Sequence, residues 1–505
     1  MKMIKSMPSE VKNFIEHEGG SSLFLEGSAG TGKTTLGLQI IEEMEDPEKS
    51  FYLSTRVSDQ ALYKQFPWLE DKEMRAQIMD ASKVFLETIY EEEEEEDFSS
   101  MPESEKKKVQ GAQKFLKTVR ETGPPQNVDR TRLSSLDKKI PGLERIYDKI
   151  DNILPERSLL VIDSIEGITH KYGLDMETFI MTLQKDLVEN SNTNLIMILE
   201  TEENPDLEYL VDGVVQLNRY EIDERDVREI RLRKLRSVEI NQPAYLMSLK
   251  GGRFKCFEPY TLETSGEKEW EALDAPEEKY SSGTKDIDEL LNGGFDAGSY
   301  TVFEVGENVS NPEFFSVVRP IILNFMSQNR GVQAVLSGGT HPENLKEDLT
   351  RYISEETFNQ KFRIVDYFSS TSDKPYMIPL AGKSTDQVRK IYDERMYEIR
   401  GDENKPILEM NGLDTLEYLQ GGEIAIKELL RAVADTKNSN DLGMGIIKPG
   451  LNLSREIKNM ADNYFVLVDV NKTPCIYGIK PKTGLYAIVN DEEKGSPHIR
   501  LEPIV

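Results

Sequence analysis

Cysteine and histidine are scarce, and their scarcity excludes chemistry before anything else is read. The 505 residues hold two cysteines, Cys256 and Cys475, and four histidines, His17, His170, His341 and His498. Two thiols cannot build a disulfide framework or a four-ligand metal site. The histidines lie far apart and show no ligand spacing, so a metal site built by the protein alone is not expected. Long apolar runs are also lacking. Stretches such as Leu195–Leu199 are strand-sized, so no membrane-spanning helix is expected. Residues Met1–Glu10 carry no apolar core of signal-peptide length, and the expected compartment is the cytoplasm. Positive charge is the third shortage. With 62 Lys and Arg against 91 Asp and Glu, the net charge is −29, which opposes non-specific binding to nucleic acid or anionic membrane. Apolar content of 38% still suffices for a folded chain, and the length suits two or three domains.

What is present begins with Gly27-Ser28-Ala29-Gly30-Thr31-Gly32-Lys33-Thr34-Thr35, which fits G-x-x-x-x-G-K-[ST] without a mismatch. Ser22–Glu26 before it reads as a short buried strand. Thr34–Glu45 after it reads as a helix. Strand, glycine turn and helix make the phosphate-binding P-loop. The glycines let consecutive N–H groups turn inward toward an anion, and the helix N-terminus adds unpaired donors. Lys33 is assigned to the β- and γ-phosphates, and the Thr34 hydroxyl to Mg²⁺. The expected cofactors are ATP and Mg²⁺.

Around this motif the pattern alternates. Ser9–Glu18 reads as a leading helix, Ser50–Thr55 as a second core strand, and Ser58 as the N-cap of a helix through Gln65. Six consecutive glutamates, Glu91–Glu96, open a charged segment that runs to about Thr122. It is either a solvated stretch or an acidic docking arm for a basic partner. Ile140–Leu154 reads as an amphipathic helix. Ser158–Ser164 is then a buried strand with Asp163 at its C-terminal tip, where ligands sit in open α/β sheets. Asp163 is therefore assigned as the carboxylate that holds Mg²⁺ through water. A helix over Met176–Glu189 and strands at Asn194–Glu200 and Val211–Leu217 complete a mainly parallel sheet with helices on both faces.

Arg228–Arg236 alternates as a strand, with Ile230 and Leu232 on one face and Arg231 and Arg233 on the other. It is the main basic cluster of an acidic chain. Three readings stand: a solvated face balanced by nearby acids, Arg or Lys fingers for a neighbouring subunit's nucleotide, or a contact for an acidic partner. After a polar stretch over Glu263–Lys279, a second unit opens at Ser282-Gly283-Thr284. It reaches a strand at Tyr300–Val305. Where Gly-Lys-Thr would follow, it carries Asn311-Pro312-Glu313, with no lysine and with a carboxylate that repels phosphate. Ile407–Asn411 reads as its metal-site strand, with Asn411 in place of the aspartate. The second half is thus expected to repeat the first without its nucleotide chemistry.

These landmarks together resemble the RecA superfamily, in particular its KaiC-like branch. The segment from Ser282-Gly283-Thr284 through Asp288-Glu289-Leu290-Leu291-Asn292-Gly293-Gly294 is similar to the phrase that opens domains of that branch. Lys234-Leu235-Arg236 is similar to its K-x-R-G strand, with Ser237 in place of the glycine. The resemblance implies that Lys234 and Arg236 reach the nucleotide of an adjacent protomer, and hence a homo-oligomer. It also implies a Glu-Glu pair after the second strand to polarise the attacking water. Here Arg56 and Val57 stand at that place, which predicts slow hydrolysis unless Glu26, Glu200 or Glu202 substitutes. Within the branch the chain resembles the archaeal GvpD-type gas vesicle regulatory proteins. The resemblance rests on an N-terminal P-loop directly after a short helix, the Leu53–Ser58 segment, and arginine-rich stretches in an acidic chain of similar length. It implies an ATP-binding negative regulator that contacts a protein partner, such as a transcription activator.

The sequence therefore predicts an α/β protein of two tandem RecA-like P-loop domains with mainly parallel sheets, the second degenerate. Residues 1–260 form the nucleotide-binding domain with an acidic insertion near 90–125, residues 261–280 a linker, and residues 281–505 the degenerate domain. An active KaiC-like ATPase in signal transduction or DNA-linked processes is the alternative function. Direct nucleic-acid binding is disfavoured by the charge, and a membrane role by the lack of apolar runs.

Overall fold

The computed structural model describes residues 4–44, 47–70, 78–80, 140–201, 205–261, 269–401, 403–448, 450–451, 454–491, 494 and 497–505. The glutamate run and the charged segment near 90–125 lie outside the described residues. The chain forms two compact units. One comprises Ser6–Tyr220 and Arg228–Cys256, and the other Met1–Lys5, Glu221–Val227 and Phe257–Val505.

A ten-stranded sheet runs through the N-terminal half of the chain. Its strands are β1 (Ile4–Lys5), β2 (Ser22–Glu26), β3 (Ser50–Ser54), β4 (Ile78–Asp80), β5 (Ser158–Asp163), β6 (Thr193–Ile198), β7 (Gly213–Ile222), β8 (Arg225–Leu235), β9 (Ala244–Ser248) and β10 (Lys255–Phe257). The order is β1-β10-β9-β8-β7-β2-β6-β5-β3-β4. From β7 to β4 neighbouring strands run parallel, whereas β8, β9 and β10 are antiparallel. The switch to antiparallel follows from the two-residue turn at Asp223-Glu224. Both residues have positive φ, 48° and 64°, which suits the twist of a tight hairpin.

The central strands are apolar on both faces, as a doubly covered parallel sheet requires. Leu23 and Leu25 of β2 join a core with α1 (Ser9–Glu16) and α2 (Lys33–Glu43), which also takes in Leu62 of α3 (Asp59–Gln65). Phe24 points the other way, into a core with α4 (Pro141–Ile153), α5 (Ile165–Tyr172) and α6 (Met176–Leu183). The expected helix over Met176–Glu189 is α6 continued by a π-helical stretch, Gln184–Glu189. Helix α2 buries residues around most of its circumference, including Leu36, Leu38, Ile40 and Ile41. Burial of each such side chain contributes about 1.5–3 kcal/mol, so the helix that carries the P-loop is firmly anchored. Gln39, on the same helix, satisfies both polar groups of Phe254. Its Nε2 donates to the carbonyl oxygen at 2.9 Å and its Oε1 accepts from the amide at 3.0 Å.

The C-terminal unit repeats the plan. After a small ladder of β11 (Lys279–Tyr280) and β12 (Phe295–Asp296) come β13 (Tyr300–Val305), β14 (Gly331–Val335), β15 (Phe362–Asp366), β16 (Met377–Pro379), β17 (Ile407–Gly412), β18 (Leu442–Ile447), β19 (Asn463–Val470), β20 (Thr473–Lys480), β21 (Tyr486–Asn490) and β22 (Ile499–Pro503). Their order is β16-β15-β14-β17-β18-β13-β19-β20-β21-β22. Strands β16 through β19 are parallel to their neighbours, and β20–β22 add antiparallel strands. The two sheets share one logic: the strand before the first glycine turn is central, with a strand from later in the chain on each side. Trp270 and Tyr280, within the stretch expected to be a linker, are buried in this unit's core. Among the described residues no helix is long and apolar enough to cross a membrane.

Candidate nucleotide-binding site

The site lies at the C-terminal ends of β2, β3, β5 and β6. After Glu26 the chain turns through glycines in the left-handed region: Gly27 at φ 148°, Gly30 at 79° and Gly32 at 107°. Two of them are fixed by packing as well. A Cβ on Gly27 would lie 2.4 Å from the carbonyl oxygen of Leu217, and one on Gly32 2.9 Å from the Leu249 side chain. At Gly30 a Cβ would meet nothing within 4 Å, so this residue faces the open side of the loop. Thr31 Oγ1 donates to the carbonyl oxygen of Ser28 at 2.9 Å and braces the turn. The loop then enters α2 at Lys33. Ser28, Ala29, Thr31, Lys33, Thr34 and Thr35 thus stand in the contiguous loop-to-helix arrangement expected of them.

Lys33 is 4% exposed. Its ammonium donates to the carbonyl oxygens of Gly27 at 2.6 Å and Ser28 at 2.8 Å, and Glu200 Oε2 lies 3.4 Å away. Thr34 Oγ1 donates to Asp163 Oδ2 at 2.7 Å. Parallel pairing brings this about: β5 lines up Asp163 with Ser54 of β3 and Ile198 of β6. The hydroxyl of Tyr52, a fully buried residue, donates to the same Asp163 oxygen. Burial raises the Asp163 carboxyl above its usual range, while the hydrogen bonds from Tyr52 and Thr34 pull it back down. The Tyr52 phenol is pushed well up, first by burial and then by the Asp163 charge.

Thr55 fastens the strand end. Its amide and its hydroxyl donate to the carbonyl oxygen of Asp163, at 2.7 and 2.9 Å, and its Oγ1 accepts from the Ser164 amide at 2.8 Å. Glu166 Oε1 accepts from the Glu200 amide at 2.7 Å and holds the tip of the next strand. Arg56, half exposed, lies with its Nη1 3.9 Å from Glu200 Oε1. Of the three glutamates considered as substitutes for the missing pair, Glu200 stands beside Lys33. Glu26 is buried at the end of β2, and Glu202 lies outside the described residues.

These residues fit a Mg²⁺-nucleotide. The hydroxyl and carboxylate needed around the metal are already in contact, and the ammonium needed for phosphate lies among oxygen acceptors that a phosphate oxygen can replace. Lys33, Thr34 and Asp163 are one cluster. Lys234 and Arg236 are not part of it. The Arg236 amide donates to the Asp212 carbonyl oxygen at 2.9 Å, beside the start of β7, while β2 and β7 pair from Leu23 and Gly213. The pair is therefore at the opposite edge of the sheet from the P-loop of its own chain. The Lys234 ammonium donates to the carbonyl oxygens of Glu208 at 2.9 Å and Val211 at 2.6 Å, and burial lowers its pKa. Arg236 pairs with Asp212 at 2.8 Å. Strand β8 does alternate as expected, with Ile230 and Leu232 buried and Arg231 and Arg233 exposed. Arg231 pairs with Glu229 at 2.9 Å and Arg233 with Glu208 at 3.2 Å. Arg228, on the same strand, does reach the P-loop: its Nη1 donates to the Gly30 carbonyl oxygen at 2.9 Å.

In the C-terminal unit the corresponding turn leads into α7 (Asn311–Ser327), which begins differently. Glu313 Oε2 accepts from the Ser310 amide at 2.6 Å. A carboxylate thus already takes a donor at the helix start, where a phosphate would sit. Asn411 lies near the end of β17, in register with Val335 and Gly445.

Sequence reasoning missed Tyr52, Thr55, Glu166 and Arg228, and left Glu200 unplaced. The signal was available for two of them. Thr55 and Glu200 follow the C-terminal ends of core strands, the edge where ligands gather in such sheets.

Comparison with known proteins agrees with this geometry. The family described as "GvpD gas vesicle protein, P-loop domain" matches residues 11–237, and the one described as "GvpD basic region 2" matches residues 269–505. The chain is similar to Protein GvpD2 of Halobacterium salinarum, with 26% identity over 99% of this chain and 97% of that protein. It is also similar to Protein GvpD1 of the same organism, with 24% identity over 99% of this chain and 96% of that one.

Proposed function

The chain belongs to the GvpD-type P-loop proteins, and from that premise we propose that it is an ATP-binding regulator of gas vesicle formation, acting negatively through a protein partner such as a transcription activator. The observation that carries the nucleotide part is the contact of Thr34 with Asp163 beside Lys33. Gly27–Thr35 takes the phosphates, with Lys33 on the β- and γ-oxygens. Thr34 and Asp163 hold Mg²⁺, which supplies charge neutralisation for the phosphates. Arg56 and Val57 stand where the family resemblance calls for paired glutamates, which supports slow turnover and a role for the bound state itself. The net charge of −29 supports a protein partner over nucleic acid, and the cytoplasm is the compartment in keeping with this role.

Turnover tests the regulator reading. A purified chain that hydrolyses ATP at ~1 s⁻¹ or more, and loses this with Lys33→Ala, overturns it in favour of an active ATPase. Glu200 beside Lys33 is the observation that favours this second reading.

A further inference from the structure

Lys33 and Arg56 both face one carboxylate. Glu200 Oε2 is 3.4 Å from Lys33 Nζ, and Glu200 Oε1 is 3.9 Å from Arg56 Nη1. Glu200 is about one quarter exposed, and its side chain begins at a fixed point because its amide is held by Glu166 at 2.7 Å. Its negative charge also acts on Asp163, whose carboxyl it raises. Two cations, Lys33 and Arg56, converge on Glu200, and a second anion, Asp163, lies nearby.

In a loaded P-loop the lysine serves the β- and γ-phosphates. A carboxylate already on that lysine has the charge of a terminal phosphate oxygen and lies at the same cation. We propose that Glu200 sets the site's preference between nucleoside di- and triphosphates, by standing on Lys33 and Arg56 where the γ-phosphate has to go. This inference rests on the nucleotide reading above and names the ligand class that the same site favours at rest. A diphosphate leaves Glu200 in place. A triphosphate binds only by moving the Glu200 carboxylate off Lys33, against the repulsion between two anions that share one ammonium. The move frees Arg56 to follow whichever anion stays. The site thus responds to the terminal phosphate with a displacement at the end of β6, and this response requires no hydrolysis.

The test is a pair of dissociation constants, for ADP and for ATP with Mg²⁺, measured by calorimetric titration of the full chain. The wild type binds ADP more tightly than ATP. Glu200→Gln, which keeps the shape and removes the charge, raises the ATP-to-ADP affinity ratio about tenfold or more, equivalent to ~1.4 kcal/mol. Glu200→Ala shifts the ratio in the same direction and covers the case in which the glutamine variant does not fold. An unchanged or lowered ratio in a folded variant overturns the inference. A wild type that prefers ATP overturns it without any variant. A wild type that binds neither nucleotide overturns the P-loop reading and this inference together, whereas binding of both with an unmoved ratio overturns this inference alone.

Discussion

Thr34 and Asp163 are 129 residues apart in the chain, yet the threonine hydroxyl donates to the aspartate at 2.7 Å. Under the proposed function this contact joins the two groups that would hold Mg²⁺. Asp163→Asn removes the charge with little change of shape. Its ATP affinity loses most of its gain on adding Mg²⁺, by about tenfold or more, against the wild type measured with and without the metal. Equal Mg²⁺ gains in the two proteins would remove Asp163 from the metal site.

Tyr52 holds the same carboxylate from below. Tyr52→Phe deletes a hydrogen bond to a buried acid and leaves one acceptor less satisfied. Stability measured by urea unfolding falls by about 1–3 kcal/mol. The Asp163 carboxyl also moves further up, since the Tyr52 bond is among the groups lowering it. A variant as stable as the wild type would show that the hydroxyl contributes nothing.

The glycines of the loop differ in what they tolerate. Gly30→Ala meets open space and bears mainly the left-handed backbone penalty, about 1–2 kcal/mol. Gly27→Ala adds a clash with a main-chain carbonyl oxygen at 2.4 Å and is the more destabilising of the two. Chemical denaturation of both variants ranks them, and the reverse order contradicts the packing described.

The C-terminal unit carries a pH dependence of its own. Glu409 of β17 is pushed up to about 7, first by burial and then by the Asp441 charge, with Arg400 opposing. Tyr300, Tyr392 and Asp435 also act on this group, and Arg400 and Asp441 are paired at 2.8 Å. The folded state therefore holds a proton that the unfolded state releases near the ordinary glutamate value of 4.5. Stability from this group is full below that value and is lost as pH rises toward 7. Glu409→Gln is thus neutral against the wild type near pH 4 and more stable by on the order of 2–3 kcal/mol at pH 8. Unfolding curves at the two pH values check this, and a difference that does not change with pH contradicts it.

Lys234 and Arg236 cannot serve the P-loop of their own chain from the opposite edge of the sheet. If they serve a neighbour's, Lys234→Ala and Arg236→Ala lower ATP turnover and leave ATP affinity intact. Lys234→Ala also removes the donor from two carbonyl oxygens, so a parallel loss of affinity and thermal stability would assign both residues to folding alone.

The sequence made the P-loop, β2, β5 and the alternating face of β8 legible, because each is a local pattern: a motif, a buried run or a period of two. Asp163 was legible as a strand tip. The Tyr52 bond to Asp163 was not, because it needs the register of β3 on β5, which no local pattern specifies. Glu200 could be named but not placed for the same reason, since it meets Lys33, 167 positions away in the chain, only through the pairing of β6 with β2. The expected strand at Val211–Leu217 is longer, running as β7 from Gly213 to Ile222, because polar residues at its exposed end continue into the hairpin. Trp270 falls within the expected linker because its neighbours are charged, yet its indole is large enough to be drawn into a core.

The most direct test of one working phosphate cradle in two related units is the stoichiometry of nucleotide binding. Calorimetric titration of the full chain with Mg²⁺ and ADP gives one nucleotide per chain, and Lys33→Ala abolishes it. Two nucleotides per chain, or binding that survives Lys33→Ala, would contradict the account.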